Sequence, residues 1–207
     1  MKNVTVIDHP LVQHNLTRLR DRETSSTEFR RLVGEVATLM IYEATRSLAV
    51  GPRNVVTPVG KARGTKLTSR VLLVPILRAG LGMLDSILQL IPDARVGFIG
   101  LKRDEATLQA ITYHQSLPAS AAGYEVIILD PMLATGGSAI AALDLVKARG
   151  AKCVRMVNLL AAPEGIQAVL ARHPDTQIYT AAIDQKLNAR GYIVPGLGDA
   201  GDRIFSS

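Results

Sequence analysis

The sequence predicts an α/β fold, a mostly parallel sheet flanked by helices, with an N-terminal helical segment, a β-arm and a glycine-rich C-terminal segment. Three observations predict it. Residues 71–77, 126–129 and 153–160 are short apolar runs that suit central strands buried on both faces. Segments with apolar residues at helical spacing lie between them, and repeated strand–helix–strand units argue a parallel sheet. Arg78, Arg103 and Asp130 each fall just after a predicted strand, the edge of such a sheet where ligands sit. This convergence points to one anion-binding cleft.

Residues 3–7 alternate apolar and polar, and His9-Pro10 opens a helix through Leu11, Leu16 and Leu19. Ser25 and Glu28 fit a capping box. Phe29, Leu32, Val33, Val36, Leu39 and Met40 follow at helical spacing, which predicts a helix into the late forties that Gly51-Pro52 stops. Residues 54–70 hold two short strands around Gly60 and Gly64 and read as an arm, either a surface hairpin or a subunit contact. The strand at 71–77 leads through Arg78-Ala79-Gly80 into a helix with Leu81, Leu84, Ile87 and Leu88. Residues 95–101 predict another strand. Residues 102–122 lack clear periodicity and predict a mobile loop with one hairpin. A strand at 126–129, a helix to 149, a strand at 153–160, a helix from Pro163 to Arg172 and a strand at 177–183 complete the sheet.

The length of 207 residues suits one domain. The net charge of +6 suits an anionic ligand, but the basic residues are dispersed. Aromatic residues make up 4% and Trp is absent, which argues against a base-stacking nucleic-acid platform. Cys153 is the single cysteine and lies in an apolar run, so an inert buried thiol is expected. No signal peptide or bilayer-spanning run is present in the sequence. A cytoplasmic protein with no membrane partner is expected. The four histidines are scattered, none with metal-ligand spacing, so no residue is assigned to a metal.

The stretch 125–138, EVIILDPMLATGGS, carries the chemistry. An acid at the end of a buried strand is costly unless it has a partner or a task. Gly136 and Gly137 let the backbone turn tightly and open a helix N-terminus, where free N–H groups and the helix dipole favour a phosphate. Thr135 and Ser138 add hydroxyls. TGGS by itself reads equally as a capped strand-to-helix turn. In the tail, Gly196-x-Gly198-x-x-Gly201 matches a dinucleotide fingerprint by letter only. The chain ends before a long helix or the distal acid could follow.

Together ILRAG at 76–80, GLKRDE at 100–105, DPMLATGGS at 130–138 and YIVPGLGDAGDR at 192–203 resemble the uracil phosphoribosyltransferases, within the type I phosphoribosyltransferase fold. The resemblance covers essentially the whole chain. Pro131 stands where the wider superfamily has a second acid, as is usual for the uracil enzymes, which leaves Asp130 as the acid of this motif. The resemblance implies transfer of phosphoribosyl from phosphoribosyl diphosphate (PRPP) to uracil, giving UMP and diphosphate. It implies Mg²⁺ carried mainly by the diphosphate.

Residue by residue it implies PRPP binding by Arg78, Arg103, Asp130, Pro131, Met132, Leu133, Ala134, Thr135, Gly136, Gly137, Ser138 and Asp199. Asp130 and Arg103 are the expected catalytic pair. Asp130 holds the ribose hydroxyls and faces charge developing on the ring, and the arginines neutralise diphosphate. Residues 185–207 form the uracil-binding segment, with Ile193, Gly198, Asp199 and Ala200 reading the base. A side chain at Gly198 would fill the space the ring needs. Loop 102–115 is expected to close and exclude water. The resemblance also implies a homo-oligomer, dimer or tetramer, and GTP as an activator in some members. Two alternatives are a transferase for another base and an RNA-binding pyrimidine regulator of the same fold. The tail counts against the first, and dispersed charge with few aromatics against the second.

Overall fold

A computed structural model of the chain describes residues 3–103 and 110–206. Strands β1 (Val4–Val6), β4 (Arg70–Leu77), β5 (Arg95–Val96), β6 (Phe98–Arg103), β7 (Ala110–Ser116), β8 (Tyr124–Leu129), β9 (Met132–Leu133), β10 (Cys153–Ala161) and β11 (Gln177–Ile183) form one sheet. Its order is β1-β11-β10-β8-β4-β6-β7, with β5 on β4 and β9 on β10. Every pairing in it is parallel except β6 with β7.

The apolar runs are continuous because both faces are covered. Val71 and Leu73, Ile127 and Leu129, Val157 and Leu159 face helices α1 (Pro10–Arg20), α2 (Ser26–Ala44) and α3 (Leu81–Leu90). The alternate residues Leu72 and Val74, Val126 and Ile128, Val154 and Met156 face α4 (Gly137–Ala148) and α5 (Pro163–Arg172). The two-residue period of a strand thus fills two cores from one run.

Helix α1 starts at Pro10, with His9 as N-cap accepting from the Leu11 N–H. Ser25 caps α2 by accepting from the Glu28 N–H. That helix ends at Ala44, earlier than its periodicity predicts, where Thr45 turns back onto the Ile41 carbonyl. The arm is an antiparallel hairpin of β2 (Val50–Val56) and β3 (Lys61–Leu67), fully registered from Val50–Leu67 to Val56–Lys61. It starts four residues before the predicted 54, so Gly51-Pro52 lies inside it rather than acting as a helix stop.

Two further expectations, those for 95–101 and for Cys153, are corrected, while the hairpin expected within 102–122 is present as β6 with β7. Residues 95–101 are two strands, broken at Gly97, where a Cβ would sit 2.7 Å from the Leu117 side chain and 3.0 Å from the Ser116 carbonyl. Within 102–122 the β7 strand extends the sheet as the hairpin partner of β6. Residues 104–109 of the expected mobile loop lie outside the described residues. The alternation at 3–7 is a real edge strand, β1, paired with β11. Cys153 is exposed at the start of β10 rather than buried, because the sheet's covered register begins at Val154.

The tail folds back over the carboxyl ends of the strands. A two-stranded ladder, β12 (Lys186–Leu187) with β13 (Ile193–Val194), precedes a short helix α6 (Ala200–Phe205) that the glycines of the sequence conceal. Among the described residues no helix is long and apolar enough to cross a membrane.

Candidate active site

The site is built where β4 and β8, neighbours in the sheet, end side by side. After β4, Arg78 and Ala79 form a turn closed by the Gly80 N–H donating to the Ile76 carbonyl at 2.9 Å. Only glycine fits the third position. A Cβ on Gly80 would lie 2.4 Å from the Leu129 carbonyl oxygen and 2.8 Å from that of Ile76. Arg78 is 57% exposed and sits 3.5 Å from the Asp202 carboxylate. A pair this open to water contributes little to stability.

After β8, the loop 130–136 is stitched to β10. The Asp130 carbonyl accepts from Asn158 Nδ2 at 2.6 Å, the Pro131 carbonyl from the Leu160 N–H at 3.0 Å, and the Leu133 carbonyl from the Ala162 N–H at 2.8 Å. Gly136 takes a left-handed φ of 85° and is the N-cap of α4, making no side-chain capping bond. Helix α5 presses on the loop from behind. A Cβ on Gly165 would lie 2.3 Å from the Ala134 carbonyl oxygen. The backbone N–H groups opening α4 are therefore rigidly placed and face the cleft, an arrangement that attracts phosphate.

A cavity of about 290 Å³ lies over this N-terminus, lined by residues 132–139 together with Arg78, Ala79, Asp130 and Asp199. A second, of about 430 Å³, opens beside it under the tail, lined by Arg190, Tyr192, Ile193, Gly198, Asp199 and Ala200. Ala79, Asp130, Met132, Ala134 and Asp199 line both. The two cavities are thus halves of one cleft with two carboxylates at the junction.

Asp130 is partly buried, and among the described residues its carboxylate receives only a long 3.5 Å bond from the Met132 N–H. Burial with so little compensation pushes its carboxyl up to about 7, against 3.8 ordinarily. Asp199 also caps α6, accepting from the Asp202 N–H at 3.0 Å. Gly198 has a φ of 83°, and a Cβ there would meet only the Arg203 side chain at 3.7 Å. Backbone conformation, more than crowding within the protein, is what requires glycine at 198.

The expected residues gather as follows. Arg78, Asp130, Met132, Leu133, Ala134, Thr135, Gly136, Gly137, Ser138 and Asp199 line the first cavity. Ile193, Gly198, Asp199 and Ala200 line the second. Pro131 is buried and lines neither, serving the loop through its carbonyl. Arg103 ends β6, and its side chain lies outside the described residues. Asn158, Gly165 and Arg190 were not singled out by sequence reasoning. Asn158 left a signal, a lone amide inside the apolar run 153–160, and it is fully buried. Gly165 left none.

Among the described residues no group of three His, Cys, Asp or Glu side chains could hold a metal ion. Two carboxylates at the junction fit an ion carried on a ligand's own oxygens and water, not a protein cage.

Comparison with known proteins gives the family. A family model described as uracil phosphoribosyltransferase matches residues 6–207. The chain is similar to the uracil phosphoribosyltransferases of Geobacillus kaustophilus, 55% identical with all of both chains covered, and Bacillus licheniformis, 56% identical with the same coverage. Among solved structures, a protein from Aquifex aeolicus superposes with a TM-score of 0.93 at 38% identity, covering 98% of each chain. Adenine phosphoribosyltransferase from Leishmania donovani superposes with a TM-score of 0.63 at 15% identity, over 92% of this chain and 88% of its own, a likeness of fold.

Proposed function

The chain belongs to the uracil phosphoribosyltransferase family, and from that premise we propose how its cleft makes UMP and diphosphate from uracil and PRPP. It is a pentosyltransferase with the type I phosphoribosyltransferase fold. The observation that carries the assignment of the cleft is the junction at Asp130. On one side of it lies the N-terminus of α4, on the other a glycine-rich tail cavity.

In this reading the 5′-phosphate of PRPP docks on the loop 134–138, held by backbone N–H groups and the Thr135 and Ser138 hydroxyls. Asp130 accepts from the ribose hydroxyls and stabilises positive charge on the ring as the bond from C1′ to diphosphate oxygen breaks. Arg78, with Arg103, neutralises the leaving diphosphate through planar forks of donors. Backbone groups at Ile193 and from Gly198 to Ala200 read the polar edge of uracil. They aim its N1 at C1′, where the new bond forms as N1 loses its proton. Asp199 faces the PRPP side. Mg²⁺, bound through diphosphate oxygens and water, would supply further neutralisation of the leaving group.

The proposal extends to assembly and control. The arm carries Val55, Val56 and Val59 exposed, Val59 at 97%, which supports contact with a second copy in a homo-oligomer. GTP as activator rests on the family resemblance. The test is UMP formation from PRPP and Mg²⁺ with a panel of uracil, cytosine, hypoxanthine, guanine, adenine and orotate, with and without GTP. Turnover confined to uracil is expected. Turnover with another base would overturn the tail assignment, and tight PRPP binding without any turnover would favour the RNA-binding regulator.

A further inference from the structure

We propose that the carboxyl end of α1, through Arg20 and its ion pair with Asp184, positions the base-reading loop 193–199 and sets the enzyme's affinity for uracil. The inference rests on the reading that the tail cavity binds the base. Neither residue touches that cavity, so both would be positioning residues.

Arg20 and Asp184 are 164 positions apart. The guanidinium makes a two-bond fork onto the carboxylate, at 2.8 Å and 2.6 Å. Its side chain is 26% exposed and that of Asp184 5%. A forked pair this buried fixes geometry more than an open one does. Both partners also grip the same residue of the tail. Asp184 accepts from the Gly196 N–H at 2.8 Å, and Arg20 donates to the Gly196 carbonyl at 2.8 Å.

Gly196 is thus held at both of its backbone polar groups. It has a φ of 65°, and a Cβ there would lie 2.2 Å from the Ile193 carbonyl oxygen. This clamp lies between Ile193 and Gly198, two of the residues whose backbone reads the base. A second tie comes from the same end of α1. Arg203 donates to the Leu19 carbonyl, to that of Asp21 at 2.6 Å and to that of Leu197 at 2.8 Å.

Recognition by backbone groups has no side-chain rotamers to correct a misplaced loop. A displacement of about 1 Å in such a site can cost on the order of 10²-fold. The anchored peptide is three residues from one base-reading position and two from the other.

Three variants test this in the full-length enzyme: Arg20→Lys, Asp184→Asn and the pair Arg20→Met with Asp184→Asn. The lysine keeps a cation beside Asp184 but cannot make the fork and also reach the Gly196 carbonyl. The paired change avoids leaving an uncompensated buried charge. The KM for uracil is expected to rise about 10-fold in Arg20→Lys, the scale of one lost charge-assisted hydrogen bond, and further in the paired variant. The KM for PRPP, and PRPP binding by calorimetry, stay within about twofold.

Unchanged KM for uracil in folded variants would overturn the inference. So would a parallel rise in both KM values, or loss of the fold in all three, either of which makes the pair a general structural brace. Wild-type turnover with another base would refute the uracil assignment instead, and the same split in KM is then read for that base.

Discussion

Replacing Asp130 by Asn should make the enzyme slower and more stable at once. The carboxyl sits at about 7 rather than 3.8 because burial opposes its ionisation. A group whose folded value is raised adds stability below its unfolded value and loses it as pH climbs through the folded one. Ionised Asp130 therefore strains the empty enzyme above about pH 7, and the strain fades toward pH 4. At about 1.4 kcal/mol per pH unit the full effect is at most ~4 kcal/mol. Asp130 is partly exposed, so solvent screening reduces this to about 2 kcal/mol.

For a chain of this size that corresponds to a Tm gain of roughly 4–8 °C for Asp130→Asn at pH 8. The gain should shrink steadily toward pH 4. Turnover should fall by about 10²-fold or more, the scale of losing one preorganised charge-stabilising group. The kcat/KM for PRPP in the wild type should show an acid limb near pH 7 that is missing from the residual activity of the variant. Calorimetric melting across pH 4–8 and steady-state kinetics read all three. A variant with near-normal turnover, or a Tm difference that does not depend on pH, would refute the reasoning.

Three other outcomes are expected. Gly165→Ala places a methyl 2.3 Å from the Ala134 carbonyl oxygen. It should weaken PRPP binding about 10-fold or more and destabilise the fold by about 1–3 kcal/mol, as overpacking does, measured by calorimetry and denaturant melts. Arg78→Ala should raise the KM for PRPP about 10-fold, read by steady-state kinetics, and an unchanged KM would remove Arg78 from diphosphate binding. Chelation of divalent ions should stop turnover and leave the melting of the free enzyme unchanged, because no protein cage is assembled to hold one among the described residues; a large loss of Tm on chelation would mean a structural metal.

Much of the site was legible because its signals are local. The apolar strand, the acid that ends it and the glycine turn that opens α4 lie within 125–138, and each follows from the chemistry of a few adjacent residues. Arg78-Ala79-Gly80 is read the same way, from a run of strand residues followed by a turn glycine. The short helix α6 was less legible because three glycines precede it and its cap, Asp199, reads first as a ligand group. Cys153 misled because an apolar run does not reveal where neighbouring strands begin to cover it. Periodicity also overran the end of α2, since residues 45–50 remain compatible with a helix until the Thr45 turn is formed against Ile41.

By itself the sequence determined the fold class, the order of the main strands and helices and the glycine turn that opens α4, since these depend on side-chain period and on glycine at strand ends. The tertiary structure alone decided what surrounds those pieces. It put β1 beside β11 and β7 beside β6, pressed Gly165 against Ala134, and buried Asp130 far enough to raise its carboxyl. It also closed Arg20 and Asp184 on Gly196. Each of these is a contact or a burial, and both arise from residues distant in the chain that no local pattern brings together.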